Sequence, residues 1–280
     1  MQVGLKAWGL APVALLLMSA CASSWAQCTR PIRVPVAPVG LSVTVADERI
    51  GGVYPELLRA AGSACRFELS AVPRARMEAM FESGQADVLM PASRSPRRDE
   101  LGVFVPLIQA RATLLSLNAE RPPIRNLAEL LAEKSLRVVL VRGYDYGAVY
   151  QSMTQELRRQ GRLVLDSDPV SVARMLEAGM ADVTVMAPSI LTGSMITDAR
   201  VRHLMGRVRV EPLEEFPWSE AGLYLSKSAL SEEDRATLIA LFDRLSRSGA
   251  PWRAFQQHYP ASSLEGSIRP RRGNSADAAQ

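Results

Sequence analysis

Short apolar runs alternate with amphipathic stretches along most of the chain. Ile32-Arg33-Val34-Pro35-Val36 places apolar residues at every second position and predicts a first strand. A Gly/Ala/Val-rich stretch to Gly52 follows as a long loop or hairpin. Tyr54–Ala61, with Pro55 near its start and Gly62 behind it, predicts a short helix. Cys65–Leu69, the helix Arg74–Ser83 and the strand Ala86–Met90 then complete a β-α-β-α-β opening, which argues for a parallel sheet. The extended run Arg111–Asn118 and Arg121-Pro122-Pro123 read as a crossover into a second lobe. There the same order returns: helix Leu127–Ala132, strand Leu136–Val141, helix Ala148–Arg159, strand Arg162–Leu165, helix Val170–Ala178 and a strand from Ala181. Ala221–Ser226 leads back to the first lobe. Leu230–Arg247 predicts an amphipathic helix with Ser231 as N-cap and acids in its first turn. A last helix, Trp252–Tyr259, is expected to pack through Trp252, Phe255 and Tyr259.

One pattern occurs twice, M-x-E-x-G-x-A-D-V at 80–88 and again at 175–183. Each copy reads as a helix end, a Gly able to take the left-handed cap, and a buried strand. One such unit in each half predicts two similar α/β lobes with a cleft between them, where a small ligand would sit. The expected division is residues 27–112 plus 221–262 for lobe one, 113–220 for an inserted lobe two, and a polar, disordered tail over 263–280.

Composition changes the picture at the N-terminus. Lys6 is the only charge in the first 26 residues, Ala7–Met18 is apolar, and Ser24-Trp25-Ala26 offers small residues for cleavage. Residues 1–26 therefore read as a secretory signal, too short to span a membrane. A lipid-modified Cys21 is the alternative, with Leu17-Met18-Ser19-Ala20 a poor attachment box. Cleavage after Ala26 leaves Cys28 and Cys65, which are expected to form a disulfide in an oxidising compartment. The net charge of +4 comes from Arg scattered among acids, which argues against nucleic acid as a partner. His203 and His258 fall in no catalytic motif, two Cys and two distant His are too few for a metal site, and no phosphate or dinucleotide signature appears. No cofactor is expected.

The chemistry begins where the first repeat ends. The strand from Asp87 runs into Ser93-Arg94-Ser95-Pro96-Arg97-Arg98, with Phe104 six residues on. This order of elements and this motif resemble the type II periplasmic solute-binding proteins, particularly family 3, the amino-acid binders, over about residues 30–260. The resemblance implies a two-lobed fold, each lobe a mostly parallel sheet flanked by helices, joined by a two-segment hinge. It implies that Ser93, Ser95 and Arg98 hold a ligand carboxylate, Arg98 as a bidentate fork. Arg97 reads instead as a solvated helix-start residue. Arg76, beside Arg74 after the second strand, is a further candidate ligand contact. So are Tyr144 and Asp145 in the loop Arg142-Gly143-Tyr144-Asp145-Tyr146-Gly147, although Asp145 also suits a cap for the following helix. Tyr54 and Tyr146 fit either ligand or core. Asp87 and Asp182 read as structural, bonding nearby backbone.

One position departs from the family. The Asp that commonly holds the ligand ammonium is Ala187 here. The resemblance thus implies a monomeric, non-enzymatic periplasmic protein that captures a small, carboxylate-bearing solute for an inner-membrane ABC permease, with a standard amino-acid pose in question. An exported enzyme resembling cyclohexadienyl dehydratase, with Asp145 as its acid or base, and a periplasmic accessory or sensor protein are the alternatives.

Overall fold

The computed structural model describes residues 27–271, apart from 48, 62–63 and 118–119. The expected signal segment, the residue Gly62 and the end of the expected tail lie outside the described residues. In the first lobe Ile32–Val36 pairs in parallel with Phe67–Ala71. Beside them lies an antiparallel ladder in the order Ile268–Arg269, Gly102–Ala110, Ser219–Ser226, Val88–Ser93. The second lobe carries a five-stranded sheet ordered Val208–Glu211, Thr113–Leu117, Val183–Met186, Val138–Val141, Leu163–Asp166. The last three of these run parallel and the first two antiparallel.

The expectation of mostly parallel sheets is therefore corrected: both lobes are mixed. The antiparallel strands include those next to the crossings between lobes, which enter a sheet from the opposite direction. Gly102–Ala110 leaves the first sheet just before Thr113–Leu117 joins the second. Val208–Glu211 ends the second, and Ser219–Ser226 rejoins the first. The two crossings are tied together where Arg111 Nε donates to the Phe216 carbonyl at 3.1 Å.

Hydrophobic periodicity accounts for the layers. Leu114 and Leu115, or Val138 and Val139, are consecutive yet all fully buried. Successive side chains of a strand point to opposite faces. One of each pair joins the core under the helix Ala148–Arg159, with Met153 and Leu157; the other joins the core under Pro169–Glu177 and Pro188–Thr197, with Val172 and Met195. In lobe one, Ile32, Val34, Leu58, Phe242 and Phe255 form one core. Met77, Phe81, Leu89 and Tyr224 form another beneath the helix Arg74–Glu82. Ser231 caps Glu232–Arg247 by accepting from the Asp234 N–H, as its position predicts.

Both copies of the repeat adopt one arrangement. Gly84 and Gly179 take positive φ (72° and 63°), which glycine alone adopts without strain. Asp87 accepts from the backbone N–H of Arg33 at 2.7 Å, and Asp182 from that of Arg137 at 2.7 Å. Each arginine returns its Nη2 to the carbonyl of the repeat's glycine, Gly84 or Gly179. The aspartates thus lock the incoming strand of each lobe to the helix–Gly turn.

Cys28 and Cys65 are joined by a disulfide that ties the N-terminal segment to the approach of strand Phe67–Ala71. Residues 263–269, expected to belong to a disordered tail, are folded onto lobe one. Ser263 and Ser267 are buried, and Ile268–Arg269 pairs with Gln109 and Ala110. Backbone pairing at a free sheet edge and burial of Leu264 and Ile268 outweigh the polarity of the neighbouring residues.

Candidate functional site

The two lobes meet around a cavity of about 70 Å³. Lobe one supplies Ser93, Ala92 and Pro91 at the end of strand Val88–Ser93, Arg74 at the head of its helix, and Ala221 from the returning strand. Lobe two supplies Tyr144, Asp145 and Tyr146 from the loop after Val138–Val141, and Ala187, Ser189 and Ile190 at the start of helix Pro188–Thr197. Both lobe-two segments follow carboxyl ends of parallel strands, where open α/β sheets place their ligand sites.

Of the six residues read from the sequence, Ser93, Tyr144 and Asp145 line this cavity. Arg98, Ser95 and Arg76 do not. Arg76 is exposed on the outer side of its helix, and Arg74, two residues earlier, turns inward and is buried. Ser95 is buried with its backbone N–H donating to the Tyr224 hydroxyl at 3.0 Å.

Arg98 is only 3% exposed and faces a neighbouring groove, of about 500 Å³, between the helices Arg74–Glu82 and Ala148–Arg159. Its guanidinium is committed to protein partners. Nη2 and Nε donate to the two carboxylate oxygens of Glu78 at 2.7 and 3.3 Å. Nη1 donates to the carbonyls of Ser93 at 3.0 Å and Asp145 at 3.3 Å. Arg74 shares the same carboxylate, donating from Nη2 to Glu78 Oε1 at 2.7 Å, and from Nη1 to the Pro91 carbonyl at 2.9 Å. Its Nε reaches the Gly143 carbonyl at 3.4 Å, and its guanidinium carbon lies 5.6 Å from the centre of the Tyr144 ring. Two lobe-one arginines, held by one glutamate, thus grip the carbonyls of the lobe-two loop.

Sequence reasoning passed over Glu78. Its signal was there: Arg74 and Glu78 stand four apart on one helix, so they share a face.

Asp145 serves its own loop. Oδ1 accepts from the Gly147 N–H at 2.8 Å and Oδ2 from Gln151 Nε2 at 3.1 Å, while Gly147 holds the N-cap position. The aspartate braces the turn that presents Tyr144 and Tyr146. Burial raises the hydroxyl of Tyr144 well above its ordinary value and pushes that of Tyr146 up to about 12, so both stay protonated at neutral pH. Tyr144 packs against cores of both lobes.

A second junction lies across the cavity. The Ser189 N–H donates to Ser267 Oγ at 2.8 Å, joining helix Pro188–Thr197 to the C-terminal segment. On the same helix, a Cβ added at Gly193 would stand 2.8 Å from the Leu41 backbone nitrogen. No group of His, Cys, Asp and Glu suited to a metal ion occurs among the described residues, and no described helix is long and apolar enough to cross a membrane.

No protein-family model and no curated protein matches the sequence. Solved structures do match its fold. A histidine kinase sensor domain similar to periplasmic binding proteins superposes with a TM-score of 0.67 at 19% identity, covering 86% of this chain and 98% of its own. An amino-acid ABC transporter substrate-binding protein of Streptococcus pneumoniae, bound to L-arginine, gives 0.63 at 18%, covering 81% and 94%. An ancestral amino-acid-binding protein, a precursor of cyclohexadienyl dehydratase, gives 0.62 at 14%, covering 82% and 95%. The chain has the two-lobed fold of the ABC-transporter substrate-binding proteins, as the sequence motif implied.

Proposed function

We propose that the chain is an exported periplasmic protein that captures a small solute between its lobes and delivers it to an inner-membrane ABC permease. The observation that carries this reading is the composition of the cavity wall, which draws on both lobes at the ends of their strands. A solute there bridges the lobes and favours their closed arrangement, which is the state a permease would recognise. The segments that cross between lobes, linked by Arg111 and Phe216, supply the axis for that motion.

A carboxylate held by Arg98, as the strand–serine–arginine spacing implies, has to compete with Glu78 for the same guanidinium. The catalytic alternative rests on Asp145, whose two oxygens are taken up by Gly147 and Gln151.

The test is a thermal-shift screen of the mature protein with carboxylates, amines, amino acids and neutral solutes, followed by small-angle scattering with any hit. A solute that raises the melting temperature, compacts the protein and loses its effect in Ala187→Leu, a variant that narrows the cavity, supports the proposal. Binding unchanged by Ala187→Leu overturns the site, and turnover of prephenate or arogenate replaces the binding role with a catalytic one.

A further inference from the structure

Residues 265–271 reach both lobes and both of the segments that cross between them. Leu264 and Ile268 enter the lobe-one core, so this arm moves with that lobe. Ile268 and Arg269 pair with Ala110 and Gln109. The Arg111 N–H, in the first crossing, donates to the Ser267 carbonyl at 3.0 Å. The Arg269 guanidinium carbon lies 4.3 Å from the centre of the Trp218 ring, at the end of the second crossing. Arg271 reaches Glu220, two residues further on, at 3.4 Å.

The contact with lobe two is of another kind. Ser267 Oγ accepts from the Ser189 N–H at 2.8 Å, and both serines are fully buried. Ser189 is the second residue of the helix Pro188–Thr197, whose N-cap position is held by Ala187. The first N–H groups of a helix have no partner within it, and an N-cap side-chain oxygen ordinarily serves the second or third. Ala187 has the extended backbone of a capping residue, with φ −66° and ψ 131°, but no side-chain oxygen to offer. The Ile190 N–H turns back to the Ala187 carbonyl at 2.9 Å, and the Ser189 N–H goes to Ser267. A lobe-two helix is thus capped by a lobe-one side chain.

That arrangement ties the cap to closure. Rotating lobe two about the crossings carries Ser189 away from an arm that stays with lobe one. The hydrogen bond therefore belongs to the closed arrangement alone. The helix Ala261–Leu264 lies against Pro188–Thr197 and seats the arm beside the helix it caps. A side-chain cap shifts an equilibrium by about fivefold.

We propose that residues 265–271 form a strap over the hinge that favours the closed arrangement, with Ser267 as a cap lent by lobe one to lobe two. Part of the closed population is then set by the chain itself, before any solute arrives. A solute that binds the closed arrangement gains in apparent affinity by the same factor, up to full closure.

The experiment measures lobe separation in the mature protein without solute, so its outcome stands apart from the solute-binding reading. Nitroxide labels are placed through Gln85→Cys in lobe one and Ser152→Cys in lobe two, both exposed positions, and pulsed electron spin resonance reads their distance distribution. Ser267→Ala removes the cap, and Ala187→Ser supplies one from within lobe two that no longer depends on closure. Each should raise the ratio of long to short distances about fivefold over the parent. The two variants act from opposite lobes, so if Ser267→Ala does not fold, Ala187→Ser alone decides. The parent's distribution in either folded variant overturns the proposal, and the arm is then a passive part of lobe one.

Discussion

Glu78 accepts hydrogen bonds from Arg98 on both of its carboxylate oxygens, at 2.7 and 3.3 Å, in the bidentate geometry that an arginine fork offers a bound carboxylate. The acid comes from the protein's own helix and is shared with Arg74. An arginine that resembles a ligand anchor in sequence is therefore held as part of the lobe junction.

Glu78→Gln tests that relationship. The amide keeps the size of the side chain but leaves two buried guanidinium groups without their counter-charge. Breaking a buried pair in this way costs about 3–5 kcal/mol. The variant should melt well below the parent, and benzoate should raise its melting temperature while leaving that of the parent unchanged, since a ligand that binds only the folded state stabilises it. Differential scanning fluorimetry with and without benzoate reads both effects. Equal benzoate responses in the two proteins would show that Glu78 does not occupy the arginine fork.

The fold was legible because it rests on local periodicity. The runs at Ile32–Val36, Val138–Val141 and Val183–Met186, and the doubled helix–Gly–Asp unit, carry their structure in the identity of neighbouring residues. Sheet direction was less legible. Gly102–Ala110, with Pro106 inside it and no clean alternation, becomes a strand through pairing with Ser219–Ser226, more than a hundred residues away. The site was half legible. The strand–serine motif of lobe one and the glycine loop ahead of the helix Ala148–Arg159 pointed to Ser93, Tyr144 and Asp145, all three of which line the cavity. Neither could show that Glu78 would reach Arg98 from a different helix, because that depends on how two helices of lobe one pack against each other.

Gly193, on the lobe-two helix Pro188–Thr197, packs against the lobe-one loop around Gly40. An added Cβ would lie 2.8 Å from the Leu41 nitrogen and 3.0 Å from Gly40 Cα, both backbone atoms that cannot rotate away. Gly193→Ala should therefore push the helix Pro188–Thr197 off the loop around Gly40, with a strain of about 1–3 kcal/mol in the closed arrangement. Small-angle scattering should show a larger radius of gyration, and solute affinity should fall roughly tenfold or more by the same strain. An unchanged radius and affinity would mean that closure does not bring these segments together in solution.

The Cys28–Cys65 link closes a loop between residues 37 apart in sequence. In the chain-entropy description, such a cross-link stabilises by about 3–4 kcal/mol. Reduction, or the double change Cys28→Ser and Cys65→Ser, should lower the denaturant midpoint accordingly. Solute affinity should be preserved, since neither cysteine lines the cavity. Equilibrium unfolding in urea measures the first and calorimetry the second. A loss of binding at full folding would tie this end of lobe one to the site.

The twin aspartates of the repeat should differ in their effect on acid stability. Burial drives the Asp87 carboxyl up, but hydrogen bonds from the Arg30 and Arg33 guanidinium groups and the Arg33 N–H overcome that and hold it at about 2, against an ordinary 3.8. A carboxyl whose folded value lies below its unfolded one stabilises the fold above the unfolded value. That stabilisation is lost as pH falls from about 4 towards 2, and it amounts to about 2 kcal/mol for a shift of this size. Asp87→Asn should remove this part of the pH dependence and lower stability at pH 7. The side chain of Asp182 is 32% exposed where that of Asp87 is fully buried, and its arginine contact is longer, at 3.3 Å. Exposed pairs of that kind contribute about 1 kcal/mol or less, so Asp182→Asn should cost less at pH 7. Urea midpoints of both variants and the parent between pH 2 and pH 7 decide the matter: equal losses in the two variants would mean that the two arginines paired with the buried Asp87 add nothing to the turn that both copies share.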